Sequence, residues 1–300
     1  MNLNLLKLRI IELLEKHKKI TTVAEILELK QPTVTFHMKN MERDFGVKLF
    51  DMRMGKIVLT DAGYALHHYA VRIGALAAEA QRAVTEFDTL RKGSLRIGAS
   101  YVPATYLMPG VLRHFSNEHP NLHISLAVHS GPSIQAMLEQ HEVDLGVLTI
   151  EPSASSQIDR HIVGEDDLVL IFAPNHPLAS QPEPEADQIA AYPFILSGQD
   201  SSTRSLTEHW LDKYHCRLCS FLEIDSLEAT KQTVMLGGHI SFVSRMAVEW
   251  EVQQGLLQTR DIPGDLPKRL IYIATNKNRH RSALLQAFID HLTLGVRTQP

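Results

Sequence analysis

Apolar positions in the first 60 residues repeat at helical spacing in three separate stretches, then give way to the short alternation of strands. From Leu5 to His17, the residues Leu6, Ile10, Leu13 and Leu14 fall on one side of a helix. Val23, Ala24 and Leu27 give a second, short helix an apolar face, and Val34, Met38, Met41 and Phe45 recur three or four residues apart in a third. Pro32 stands in the first turn of that third helix, where its missing N–H removes no intrahelical bond, and Gly46 is placed to stop it. Thr21 to Phe50 therefore predicts two helices joined by a tight turn: either a plain helical hairpin or a helix-turn-helix whose second helix enters the DNA major groove. Asp51 to Thr60 predicts a two-stranded wing turning at Gly55, with Arg53 and Lys56 near the turn and in reach of phosphate.

Thr60 or Asp61 caps a long helix that runs to about Lys92. Its apolar positions are Ala62, Leu66, Tyr69, Ile73, Leu76, Ala80, Ala83, Phe87 and Leu90, and after the first step the intervals alternate between three and four. Such a heptad seam is the pattern of a helix pairing with another helix, here a second copy of the chain; packing within its own chain is the alternative. A dimer presents two recognition helices to two half-sites.

Composition changes at Arg91 to Ser94, and from there strands alternate with helices. The strands are Leu95 to Ala99, Ile124 to His129, Val143 to Thr149, Leu168 to Ala173, Pro193 to Leu196, Leu218 to Ile224, His239 to Val243, Leu256 to Ile262 and Leu270 to Ala274. Helical patterns fall between them, and Ser282 to Leu294 closes the chain as an amphipathic helix. This order argues an α/β architecture of parallel sheets with helices on their faces, built as two units.

Charge sharpens this division. Residues 1–60 hold eleven Lys and Arg against seven Asp and Glu, a net of +4, whereas the remainder carries a net of -8. Only the N-terminal part suits a polyanion, and its modest excess calls for two copies on one duplex. No apolar run reaches the roughly 18 residues of a membrane span, and the N-terminus lacks a small-residue cleavage site, so a cytoplasmic location without a membrane partner is expected. Cys216 and Cys219 form a C-x-x-C, which can be a redox pair or half a zinc site; with no second Cys/His pair at zinc-ligand spacing they are expected to be two reduced thiols. No metal or cofactor is expected.

The run Gln31-Pro32-Thr33-Val34-Thr35, then Lys39, Met41-Glu42, Phe45-Gly46-Val47-Lys48-Leu49-Phe50, Leu59-Thr60 and Ala62-Gly63 resembles the N-terminal domain of LysR-type transcriptional regulators. The likeness is specific over about the first 90 residues and looser beyond. It implies a winged helix-turn-helix over 1–60, a linker and dimerisation helix over 61–92, and a two-lobed effector domain of the type 2 periplasmic-binding-protein kind over 93–300. Lobe I would hold 93–162 and 266–300, and lobe II 163–265. Gln31, Pro32, Thr33, Thr35, Phe36, His37 and Lys39 would then meet DNA, Arg53 and Lys56 would grip its backbone, and Leu66, Tyr69, Ile73, Leu76, Ala80, Ala83 and Phe87 would join a homodimer, itself paired into a homotetramer. The chain departs from the family at Lys30, where a Ser is usual, at Val23, at Phe36 and His37, which stand for Arg and Gln, and at Met52, which stands for Arg. Those departures leave the operator sequence open.

Two Ser/Thr segments have the physics of anion sites. Ser130-Gly131-Pro132-Ser133 and Asp200-Ser201-Ser202-Thr203 each place hydroxyls and N–H groups where a helix begins, although plain capping uses the same residues. The resemblance implies ligand contacts at Ser100, Tyr101 and Val102, at Thr149, and at Ser201, Ser202 and Thr203, with Arg204 a lesser candidate. A small, anionic effector is expected there. There is no Gly-x-Ser-x-Gly elbow, His-Glu-x-x-His, Walker loop or dinucleotide glycine motif, so the reading is a regulator without catalytic residues. The competing reading is a cytoplasmic small-molecule-binding protein or an enzyme on the same two-lobed fold.

Overall fold

The computed structural model describes residues 3–86, 93–149 and 157–297. The chain forms two compact units, one of residues 1–88 with 140–142 and the other of residues 89–139 with 143–300. In the first, Asn4 caps helix α1 (Leu5–His17) by accepting from the Lys7 N–H at 3.0 Å. Helices α2 (Ile20–Ile26) and α3 (Gln31–Phe45) follow, with Pro32 in the first turn of α3 and Gly46 in the left-handed conformation at its end. Ile10, Ile11, Leu14, Val23, Val34 and Met41 are completely or almost completely buried between the three helices. Phe45 continues the spacing of Val34, Met38 and Met41 but is exposed, because the apolar face ends one turn before the helix does.

Strands β1 (Phe50–Arg53) and β2 (Lys56–Leu59) form the antiparallel wing. Arg53 pairs with Lys56, and Met54 and Gly55 between them both have positive φ, which fits the hand of a two-residue hairpin turn. The Glu42 carboxylate accepts from the Leu49 and Phe50 N–H groups at 3.0 and 3.2 Å and so ties the root of the wing to α3. Helix α4 (Asp61–Glu86) starts where Thr60 Oγ1 accepts from Gly63 N, making Thr60 its cap. Gly63 is required by contact: a Cβ there would stand 2.2 Å from the Leu49 carbonyl oxygen. Ala62 and Leu66 pack on the core of this unit, whereas Tyr69, Ile73, Leu76 and Ala80 are exposed. Phe87 and Leu90 lie outside the described residues, as does the side chain of Ala83.

The second unit opens with β3 (Ser94–Ala99), a π-helical turn over Pro103–Leu107 and helix α5 (Met108–Glu118). Then come β4 (His123–Val128), α6 (Gly131–Glu139), β5 (Leu145–Leu148) and β6 (Ile158–Asp166). The chain crosses to the other lobe at Asp167 and continues as β7 (Leu168–Phe172), α7 (Ala186–Ala190), β8 (Phe194–Leu196), α8 (Ser202–Lys213), β9 (Phe221–Glu223) and α9 (Leu227–Met235). Strand β10 (Ile240–Ser244), helix α10 (Glu249–Gln253) and β11 (Gln258–Asp261) complete that lobe, and β12 (Arg269–Asn276) with α11 (Ala283–Arg297) returns to the first.

The sheet orders are β4-β3-β5-β12-β6 in lobe I and β11-β7-β10-β8-β9 in lobe II. Neither sheet is wholly parallel, in contrast to the expectation from alternation. Strands β3, β4 and β5 are parallel, but β12 runs antiparallel to both β5 and β6; in lobe II, β7 runs antiparallel to β10 and β11. The antiparallel pairs involve the strands beside the two crossings, since a chain that leaves through β6 must come back the other way. Strand β6 was not apparent in the sequence and carries lobe I to Asp166 rather than to 162; as an edge strand with His161 and Ile162 exposed it lacks a clean apolar alternation. Each lobe has its own core, around Phe115 and Phe288 in lobe I and around Trp210 and Phe242 in lobe II.

Candidate DNA face and effector cleft

The burial of Val34, Met38 and Met41 leaves the opposite side of α3 outward. Gln31, Pro32, Phe36 and Lys39 are exposed there, Phe36 by 60%, and Thr33, Thr35 and His37 are half-buried beside them. Thr35 Oγ1 donates back to the Gln31 carbonyl at 3.2 Å, which commits its one proton to the helix and leaves its oxygen able to accept. His37 packs edge-on to Phe36, and its Nδ1 is buried without a hydrogen-bond partner. Arg53 and Lys56 are both exposed and flank the hairpin turn, beside the fully exposed Met54.

In the second unit Ser100, Tyr101, Val102, Ser130, Thr149, Ser201, Ser202 and Thr203 all line one cavity of about 540 Å³ between the lobes. Lobe I supplies the first five, from the ends of β3, β4 and β5; lobe II supplies the rest from the start of α8. The hydroxyls form a connected set. Ser100 Oγ accepts from the Thr149 N–H at 3.3 Å and lies 3.5 Å from Thr149 Oγ1, which is 3.1 Å from Ser202 Oγ across the cleft. Ser201 caps α8 by accepting from the Arg204 N–H at 3.0 Å, and Ser130 is 3.0 Å from Ser133. Past Tyr101 and Thr203 the space continues into a second chamber of about 500 Å³, lined by Tyr106, Phe242 and Ser244 among others.

Arg204 does not serve the cleft as a free cation. It is bonded to Glu208 at 2.6 Å and Glu223 at 3.1 Å and donates to the Ser197 carbonyl; hydrogen bonding to Glu208 is the largest of the effects that raise its pKa. The cation in the wall is Arg269, the first residue of β12, which pairs with Asp166 and donates to Thr203 Oγ1 at 2.8 Å. Burial lowers its pKa and Asp166 opposes that shift. Asp200, Glu223 and Asp225 also line the cavity. The sequence offered no signal for Arg269, which follows a Pro-Lys pair at a strand start and belongs to no motif; its role comes from a pairing across more than a hundred residues of chain.

Cys216 and Cys219 are free thiols that donate to the Tyr214 and Ala191 carbonyls, and burial pushes the Cys216 thiol up. Among the described residues no three His, Cys, Asp or Glu side chains stand close enough to hold a metal, and no helix is long and apolar enough to cross a membrane.

Comparison with known proteins gives this geometry its context. Residues 5–64 match the family model for bacterial regulatory helix-turn-helix proteins of the lysR family, and residues 88–295 match the LysR substrate binding domain. A probable RuBisCO transcriptional regulator of Trichormus variabilis is 30% identical over 291 residues, covering 95% of this chain and 86% of that protein. A full-length OxyR variant from Pseudomonas aeruginosa superposes with a TM-score of 0.74 at 19% identity, covering 99% of this chain and 96% of that one. The regulatory domain of CcmR from Synechocystis, in complex with 2-PG, superposes with a TM-score of 0.64 at 26% identity, covering 70% of this chain and all of that domain. With a helix-turn-helix and wing at one end and a two-lobed, cleft-bearing domain at the other, each matched by its own family model, this chain belongs to the LysR family of transcriptional regulators.

Proposed function

We propose that the regulator reads promoter DNA through α3 and the wing as a homodimer, assembled further into a homotetramer, and that a small anionic molecule in the cleft controls it. Gln31, Thr33, Thr35, Phe36, His37 and Lys39 meet base edges or position the helix; Pro32 sets its start; Arg53 and Lys56 hold the phosphate backbone. The exposed Tyr69, Ile73 and Leu76 on α4 support a seam with a second copy, joined by Leu66, Ala80, Ala83 and Phe87 along the same stripe. The domain limits at 60, 92 and 300 follow from that division of labour.

The observation that carries the effector reading is the convergence of hydroxyls from both lobes on one cavity, beside the N-terminus of α8. The 2-PG bound by the related CcmR domain supports an anionic class of ligand for Ser100, Tyr101, Val102, Ser130, Thr149, Ser201, Ser202 and Thr203. The chain acts by binding rather than by catalysis, as its regulatory relatives support, and it works in the cytoplasm. Gel filtration together with a mobility-shift assay on DNA upstream of its own gene tests the whole: a dimer or tetramer that shifts this DNA is expected, and a monomer without affinity for it overturns the proposal.

A further inference from the structure

Hydrogen-bond polarity in the cleft wall turns on Arg269, itself part of that wall. That residue is only 4% exposed, its Nη2 pairs with Asp166, and Asp166 in turn accepts from Ser244 Oγ at 2.7 Å. Its Nη1 points to Thr203 Oγ1 at 2.8 Å and Ser202 Oγ at 3.4 Å. A guanidinium has donors and no acceptor, so both hydroxyls must accept from it, and each must send its single proton elsewhere.

For Ser202 the destination is Thr149 Oγ1 across the cleft. Thr149 can pass its own proton to Ser100 Oγ, and Ser100 donates to the Val147 carbonyl, so the chain of hydroxyls runs one way, from a cation to a carbonyl. For Thr203 there is no such destination: among the described residues its hydroxyl proton has no acceptor, and the group lines the cavity in the first turn of α8. Arg269 Nε is likewise buried without an acceptor. A donor held in one sense lacks an acceptor oxygen, and the helix N-terminus beside it favours a negatively charged one.

We propose that Arg269 determines the charge specificity of the cleft by holding Thr203 as a donor while Ser202 is committed to Thr149, so that an anionic ligand is accepted at Thr203. This rests on the reading of the cleft as an effector site and adds the residue that makes it select an anion. Arg269 acts as a positioning residue, through the Thr203 hydroxyl. Asp166 neutralises its charge, so what it supplies is direction.

Calorimetric titration of the full-length protein with 2-PG, inorganic phosphate and sulfate tests the proposal. The wild type is expected to bind at least one of them. Arg269→Met combined with Asp166→Asn, which leaves no uncompensated buried carboxylate, is expected to weaken that binding about tenfold or more, the scale of losing a charge-assisted contact. Thr203→Val, which leaves the ion pair intact, is expected to weaken it comparably. Together the changes should cost little more than either alone, because Arg269 reaches the ligand only through the proton that Thr203 donates. Full additivity assigns Arg269 a general structural role and overturns the proposal, as does wild-type affinity in the Arg269 or the Thr203 variant. A wild type indifferent to all three anions overturns the effector reading itself, and this inference with it.

Discussion

Thr149 on lobe I and Ser202 on lobe II stand with their hydroxyl oxygens 3.1 Å apart, a direct contact across the cleft. Thr149 is buried, and its Oγ1 is flanked by Ser100 on its own lobe. A second tie lies deeper, where Lys231 of lobe II bonds Glu251 and Glu228 on its own lobe and reaches the Tyr106 hydroxyl of lobe I at 3.3 Å. Polar contacts of this kind join the lobes beside the apolar packing of Met246 on the lobe I core.

Thr149→Val keeps the shape of the side chain and removes the hydroxyl between Ser100 and Ser202. We expect it to lower unfolding free energy by about 1 kcal/mol, the usual net worth of such a hydrogen bond. Denaturant unfolding measures this, and a variant as stable as the wild type would show that the contact contributes nothing.

Lys39→Ala and Thr35→Ala are both expected to weaken operator binding in mobility-shift titrations at fixed salt. Their salt dependence should differ. Loss of a phosphate contact at Lys39 lowers the slope of log affinity against log salt by about 1, whereas Thr35 leaves that slope unchanged. If neither variant alters affinity or slope, α3 is not the reading helix.

Placing Glu at both Ile73 and Leu76 sets like charges on the exposed stripe of α4, half a heptad apart. Analytical ultracentrifugation should find the doubly substituted chain dissociated at concentrations where the wild type is paired, with a matching loss of the specific DNA complex. Persistence of the dimer would put the interface elsewhere.

His176 lies against Phe172 and Tyr192 in lobe II, its Nδ1 accepts from the Leu178 N–H, and burial holds its pKa below the ordinary value of 6.5. The folded chain therefore keeps this imidazole neutral where the unfolded chain takes up a proton. Its contribution to stability is intact above pH 6.5 and is lost as the pH falls through the folded value. His176→Asn preserves an acceptor for Leu178, and melting curves from pH 7.5 to 5 should fall less steeply for it than for the wild type; parallel curves would refute the assignment.

What the sequence made legible follows from the range of the forces involved. Helices α1 to α3, the wing and the caps at Thr60 and Ser201 depend on neighbours a few residues away, so spacing and turn chemistry sufficed to find them. Of the hydroxyls around the cavity, those at Ser130 and at Ser201 to Thr203 carry the local signature of a helix start, whereas Ser100 and Thr149 came only from the family resemblance. Strand β6 was missed because an edge strand need not alternate, and Arg269 and Asp166 because an ion pair between two crossing segments leaves no trace in either. The fate of Arg204 was equally hidden, since Glu223 comes to it from a separate strand. Phe45 shows the converse error, in which a periodic position carries on past the end of the surface it was meant to cover.

Gly63 sits so close under the Leu49 carbonyl that no side chain fits between α4 and the root of the hairpin, and Thr60 adds a 2.7 Å bond to the Lys48 carbonyl at the same joint. With no slack there, the long helix and the wing behave as one lever. The start of α4 and the root of the hairpin are pinned to each other by backbone contact, so neither can be repositioned without carrying the other along.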